Sequence, residues 1–266
     1  MTRVHVRGVG LCGPGLSGWE QSRAILGGNA PYQFAPTAIA PSSLLPAAER
    51  RRAGVPVRLV LAAGQEAIVS AGMDPAATPT VFSSSGGDCD NVHQMCEALA
   101  LPGREVSPTR FHNSVHNAAA GYWSIATGCR EASTSLCGYD GSFAVGLLEA
   151  AVQANSGERA VALIAYDHPY PQPLAALRDI SAPFGVALVL SSQPGARALA
   201  MLDIEYLPES RNTSAMSDSG LEALRTGVPA ARSLPLLAML ARAANGALVL
   251  EYGSGSCLSV MVKSCS

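Results

Sequence analysis

The chain has 266 residues, 48% hydrophobic and only 14% charged, with a formal net charge of −2 and a pI near 6.2. A chain this long buries roughly three quarters of its unfolded surface and needs neither disulfides nor metals to fold; its low charge content favours a large core, or an apolar face covered by a partner, over a disordered or coiled-coil chain. The balance of charge argues against nucleic acid or anionic lipid as a partner, and the basic run Arg50-Arg51-Arg52 after Glu49 reads as a solvated helix end before a docking patch for an acidic carrier.

In chain order, Val4 to Leu11 alternates as a strand and ends in the turn Gly13-Pro14-Gly15. Trp19 to Leu26 reads as a short amphipathic helix stopped by Gly27-Gly28. Residues 29 to 46, rich in Pro, Ala and Ser, read as an irregular loop. A helix follows from about Val57 to Ala71, with Leu59, Ala62, Ala63, Ala67 and Val69 spaced for burial and Gly72 closing it. Strand Thr80 to Ser84, turn Ser85-Gly86-Gly87 and helix Asp88 to Leu99 come next, Asp88 being a suitable N-cap. Asn117 to Thr127 reads as a buried helix and Ala132 to Leu136 as a short strand. Asp140 to Ala154 reads as a long helix with Phe143, Val145, Leu147, Leu148 and Val152 as its apolar stripe. Arg159 to Ala165 is a continuous apolar run, as in a strand buried on both faces. Val186 to Leu190 and Ala198 to Tyr206 read as an antiparallel pair joined at Gln193-Pro194-Gly195. Residues 207 to 230 are polar and weakly patterned. Leu234 to Ala244 reads as a helix, and Ala247 to Tyr252 with Leu258 to Val262 as a final strand pair. This order argues for an α/β fold, a mixed sheet layered with helices.

Seven cysteines, an odd number with no Cys-x-x-Cys pair, fit reduced thiols in the cytosol. The N-terminus has no apolar h-region, and no apolar run reaches the ~18 residues of a membrane span; the expected location is cytoplasmic. Lys263 is the single lysine, which argues against Schiff-base chemistry. Ser83-Ser84-Ser85-Gly86-Gly87 could suggest a phosphate cradle but lacks the P-loop pattern, and Gly10-x-x-Gly13-x-Gly15 matches a dinucleotide fingerprint poorly. His112 and His116 are spaced i, i+4 without a third ligand, and Cys89, His93 and Cys96 share one helix with the two cysteines two turns apart. No metal and no cofactor is expected.

Four segments together resemble the β-ketoacyl synthases of the thiolase superfamily. They are Val4 to Gly28; Asn117-Ala118-Ala119-Ala120-Gly121-Tyr122-Trp123-Ser124-Ile125; Gly138 to Ala150; and Pro183 to Leu190. The first resembles the opening strand and helix, the second the segment ahead of the nucleophile, the third the nucleophile elbow and its helix, and the fourth the Gly-rich strand closing the N-terminal half. Residues 2 to 206 are covered in consistent order. Phe111-His112-Asn113-Ser114-Val115-His116-Asn117 and the run after it look more narrowly like the short ketosynthase-like chain-length factors of aryl polyene clusters. The resemblance implies a thiolase-like fold and one domain over 1-266, with a ketosynthase-like part (1-206) and a reduced C-terminal part (207-266).

A decarboxylating ketosynthase needs a thiolate at a helix N-terminus and two histidines to stabilise developing charge. In the family these lie in Thr-Ala-Cys-x-Ser-Gly, His-Gly-Thr-x-Thr and Lys-x-x-x-Gly-His patterns. Aligning Gly141, Ala144 and Gly146 on the family's small residues puts Gly138 at the nucleophile position; a one-residue slip would put Cys137 there. Neither histidine pattern occurs, and His5, His93, His112, His116 and His168 all precede the region that would carry one. Gly253-Ser254-Gly255-Ser256 resembles the family's gating loop without its aromatic gate.

The resemblance therefore implies a non-catalytic partner that forms a heterodimer with a full-length ketosynthase, meets acyl carrier protein and shapes the acyl tunnel. Family dimers pair the strand ahead of the nucleophile, here Ala132 to Leu136. The tunnel or interface candidates are Phe111, His112, His116, Asn117, Ser135, Leu136, Cys137, Tyr139 and Phe143. Trp123, Tyr122 and Phe143 also read as core or interface aromatics. The alternatives are an acyltransferase using Cys137 and a homodimeric carrier-binding module.

Overall fold

A computed structural model describes residues 1–39, 42–195 and 198–265. The elements run β1 (Thr2–Gly13), β2 (Leu16–Ser17), α1 (Trp19–Leu26), α2 (Ala47–Arg52), α3 (Val55–Ser70), β3 (Thr80–Ser83), α4 (Cys89–Ala100), α5 (Pro108–Asn113), α6 (Ala118–Thr127) and β4 (Ser133–Leu136). There follow α7 (Ser142–Ser156), β5 (Val161–Asp167), α8 (Leu174–Leu177), β6 (Phe184–Ser191), β7 (Ala200–Leu207), α9 (Ser219–Gly227), α10 (Leu234–Ala241), β8 (Gly246–Gly253) and β9 (Ser256–Ser264). The predicted loop over residues 29 to 46 has no regular element until its last residues lead into α2; residues 40 and 41 lie outside the described residues.

The strands form one mixed sheet in the order β4-β3-β5-β6-β1-β7-β9-β8, with β2 folded onto the end of β1. β4, β3 and β5 are mutually parallel, and every other pairing is antiparallel. The period-2 alternation of the buried strands feeds two cores. Val81, Leu163, Val186 and Leu188 face one side with Leu147 of α7 and Leu237 of α10. Phe82, Ile164, Tyr166 and Val189 face the other with Leu59 and Ala63 of α3 and Trp123 of α6. The result is the three-layer arrangement that a sheet apolar on both faces requires.

Four sequence readings change. β6 and β7 do not pair: β1, twelve residues long, lies between them and hydrogen-bonds to both. The two-core burial of β1 gives it the sheet's interior, and just ahead of β7 Leu199 N–H donates to Val6 O of β1. Val69 is exposed in the last turn of α3, one residue past the buried Ile68. On α7 the buried stripe is Phe143, Leu147, Ala150 and Ala154, whereas Val145 and Leu148 are half-buried and Val152 is exposed. The polar stretch 207 to 230 also holds α9, whose N-cap Asp218 accepts from Gly220 and Leu221 N–H. Among the described residues no helix is long and apolar enough to cross a membrane.

Candidate functional site

β3, β4 and β5 run parallel, so the chain leaves all three at the same end, where open α/β sheets place their sites. Residues 84 to 88, 137 to 141 and 167 to 173 meet there. Asp167, at the end of β5, is fully buried. Its carboxylate accepts from Ser85 N–H at 2.8 Å, Ser85 Oγ at 2.7 Å, Ser84 Oγ at 3.3 Å and Ala230 N–H at 2.9 Å. Burial pushes its pKa up to about 6, while the Ser85, Ala230 and Ser84 donors pull it the other way. The Ser-Gly turn is thus no open phosphate cradle: the protein's own carboxylate takes Ser85 N–H, and Ser84 Oγ takes Gly87 N–H at 3.0 Å.

Between β4 and α7 the chain makes a tight turn, with Tyr139 in the left-handed region (φ 54°). Gly138 N–H donates to Ser142 Oγ at 3.1 Å, and Ser142 Oγ donates to Tyr139 O at 2.7 Å. A Cβ on Gly138 would stand 2.6 Å from Val145 Cγ2, and one on Gly141 would stand 2.1 Å from Tyr252 O of β8. Both glycines are therefore dictated by close approach. Cys137 is exposed, and its Sγ donates to Ser85 O at 3.3 Å; that neighbour accepts a hydrogen bond but offers no donor to a sulfur anion.

Charged groups pack around this turn. The Arg178 guanidinium lies 3.5 Å over the Tyr139 ring. Asp140 bridges Arg178 at 2.7 Å and Arg232 at 3.1 Å, and Arg232 also pairs with Glu251 of β8. All four side chains are partly shielded from solvent, which strengthens such contacts over those of a free surface pair. Among the described residues no histidine is hydrogen-bonded to residues 137 to 142. The turn is thus held by packing and by a network of fixed charges.

The predicted site residues separate into three groups. Ser135, Leu136, Cys137, Gly138 and Tyr139 line up along β4 and the turn, with Ser135 and Leu136 half-buried and Tyr139 62% exposed. Phe111, His112, His116 and Asn117 belong to α5 and the connection to α6. Phe111 is 65% exposed, and His112 lies edge-on to the Tyr122 ring beside an open groove of about 400 Å³. His116 Nε2 lies 3.1 Å from Ser84 O, and Asn117 is exposed with its side chain capping nothing. Phe143 stands apart from both groups: it is 1% exposed within the larger core, in keeping with its reading as a core aromatic.

His112 and His116 share no helical face, because α5 ends at Asn113. Tyr122 and Trp123 are core. His93 Nε2 contacts Glu97, four residues on, at 3.3 Å, and Cys89 Sγ contacts Gly86 O. Burial, then Asp88, Asp90 and Asp167, push the Cys89 thiol up to about 11. Sequence reasoning missed Asp167, Arg178, Arg232 and Glu251. For Asp167 a signal existed: it is the one charge at the end of an otherwise apolar buried strand. The other three come together only through the fold.

Residues 18–245 match the family model for the β-ketoacyl synthase N-terminal domain. Searches of curated proteins found no match. Among solved structures, the chain is similar to one of a ketosynthase in complex with its chain length factor from Xenorhabdus doucetiae, with 21% identity, TM-score 0.74, and 98% of this chain and 99% of that chain covered. It is also similar to the ishigamide ketosynthase/chain length factor (15% identity, TM-score 0.70, 100% of both chains). A third similar structure is a type II polyketide synthase acyl carrier protein in complex with its ketosynthase bound to the hexaketide (13%, TM-score 0.74, 99% of both). At these identities the likeness establishes the thiolase-like ketosynthase fold.

Proposed function

The chain belongs to the β-ketoacyl synthase family, and we propose that within it this protein is a non-catalytic chain-length factor, a single domain over residues 1–266 that pairs with an active ketosynthase and shapes its acyl tunnel. The observation that carries the proposal is Gly138. In the register that puts Gly138 at the family's nucleophile position, that position has no side chain, and Val145 fills the space a Cβ would need. The Asp140–Arg178–Arg232–Glu251 cluster beside it supplies rigidity in place of chemistry.

The pairing surface is proposed to be β4. Thr80 N–H donates to Ala132 O and Ser84 N–H to Leu136 O, so the alternation of a parallel ladder turns the Ser133 and Ser135 amides outward. Among the described residues no strand covers that side. Beside it, Val145, Leu148 and Val152 of α7 form a second, partly exposed apolar stripe. This arrangement fits addition of a partner strand, with Tyr139 and Phe111 as the bulky exposed groups that would border the partner's tunnel. By the same reading the partner complex meets acyl carrier protein, works in the cytoplasm and belongs to aryl polyene-type synthesis.

Co-expression with a ketosynthase from the same cell, followed by condensation of malonyl-carrier, tests this. The pair should co-purify, Cys137→Ala should keep condensing activity, and Tyr139→Ala or Phe111→Ala should change product length. A soluble monomer with no affinity for the ketosynthase would overturn the pairing. Condensation by this chain alone, abolished in Cys137→Ala, would instead establish the acyltransferase reading. A structural check is Gly138→Ala, expected to cost about 1–3 kcal/mol by overpacking, with most of that recovered in the double variant with Val145→Ala.

A further inference from the structure

The N-terminal turn of α4 and the chain just after β5 bring together Asp88, Asp90 and His168, whose donor atoms all lie within 4.8 Å of one another. The two carboxylates alone would mean little: Asp88 is the N-cap of α4, and acidic residues favour that end of a helix. His168 adds an independent observation. Its ring is 3% exposed and neither nitrogen has a hydrogen-bond partner among the described residues; an ion on Nδ1 would satisfy the nitrogen that faces the carboxylates and leave Nε2 as it is. Its Nδ1 faces Asp90 Oδ2 at 3.8 Å, too far for a hydrogen bond. Buried imidazoles are normally hydrogen-bonded, and one left without a partner carries a cost.

We propose that Asp88, Asp90 and His168 bind a divalent transition-metal ion of the zinc class. Ligand bonds of about 2.0–2.2 Å hold neighbouring donors roughly 3–4 Å apart, which is the Nδ1–Oδ2 separation here. One imidazole and two carboxylates suit zinc, cobalt or manganese better than a soft monovalent ion. Asn91 donates to Asp88 through both its backbone N–H and its side-chain amide, fixing the carboxylate's orientation as an outer-shell group does. The Asp90 side chain is 49% exposed, which leaves an entry path and room for water as a fourth ligand. The ion has a structural task to perform. α4 has no buried residue along its twelve positions, so a ligand bridge from its first turn to the end of β5 would tie a surface helix to the sheet.

The test is calorimetric titration of zinc, then cobalt, into the chelator-treated chain, or into its ketosynthase complex if that is the form that purifies. The same titration is run on Asp90→Asn and His168→Gln. One equivalent should bind the wild type, and each variant should bind at least tenfold more weakly. Cobalt should give a spectrum without thiolate charge-transfer bands, and zinc should slow amide exchange in residues 89 to 100 of the wild type only. Since His168 is buried and its replacement can disturb the fold, the half-exposed Asp90→Asn carries the decision. Absence of binding, binding unchanged in Asp90→Asn, or thiolate bands from the seven cysteines would each overturn the site.

Discussion

The two edges of the sheet end differently. β8, at one edge, is met by the chain itself at Val249: Ser214 N–H donates to Val249 O, and Val249 N–H donates to Ser214 Oγ. β4, at the other edge, has half its length and only one side of its ladder filled among the described residues. An open edge is a pairing template that monomeric proteins normally blunt. Here one edge is blunted and the other is left short, half-buried and flanked by the apolar stripe of α7. That difference is the strongest structural reason to look for a partner at β4.

The comparison can be broken most forcefully from beneath. α7 packs against β3, β5 and β4, and Phe143→Ala should cost about 3–5 kcal/mol by opening a cavity in the core under the open edge; chemical denaturation of the purified chain measures it. A loss below about 1 kcal/mol would mean that Phe143 does not support the core beneath this edge. Next, Ser135→Pro removes an outward N–H from β4 while sparing the amides that face β3. It should weaken ketosynthase co-purification tenfold or more and leave the circular dichroism of the chain unchanged. Equal capture of wild type and variant would mean that the partner does not use this edge.

At the covered edge, Ser214→Ala deletes the hydroxyl that Val249 N–H uses. The expected cost is about 1 kcal/mol, without any change in ketosynthase capture, so the two edges should respond in opposite ways. The smallest effect concerns the strands between them. Asp203 on β7 is held by Arg3 of β1 through two hydrogen bonds, at 2.6 and 3.0 Å, and that bond with Arg3 keeps its pKa below the usual carboxylate value. A depressed acid adds stability above its unfolded pKa and loses it as pH falls through the folded one. Arg3→Ala should therefore lower the melting temperature slightly at pH 7, the effect staying small because Arg3 is half exposed. Melting curves of the two proteins should converge in acid.

Much of the site was legible as pattern. The strand ending at Leu136 and the helix behind it follow from apolar period, and the turn at Gly138 from the family resemblance. Phe143 shows the limit: periodicity put it on an apolar stripe, but α7 carries two such stripes, and only packing tells which one meets the sheet. Asp167, Arg178, Arg232 and Glu251 could not be grouped, because up to 84 positions separate them in the chain (167 to 251). α9 escaped because its apolar positions are few and its signal is a cap at Asp218.

By itself, then, the sequence determined the longer local elements, the two-sided burial of β5, and the lack of the family's histidine patterns, all of which are written in residue type and period within short windows. The tertiary structure alone decided that β1 separates β6 from β7, that Val145 occupies the space beside Gly138, that Asp167 fills the Ser-Gly turn, and that the chain returns to β8 at Val249 while no described strand lies outside β4. The physical reason is one of range. A strand's alternation is a local property of its side chains, whereas its hydrogen-bond partner is whichever distant backbone the packing of both cores brings alongside.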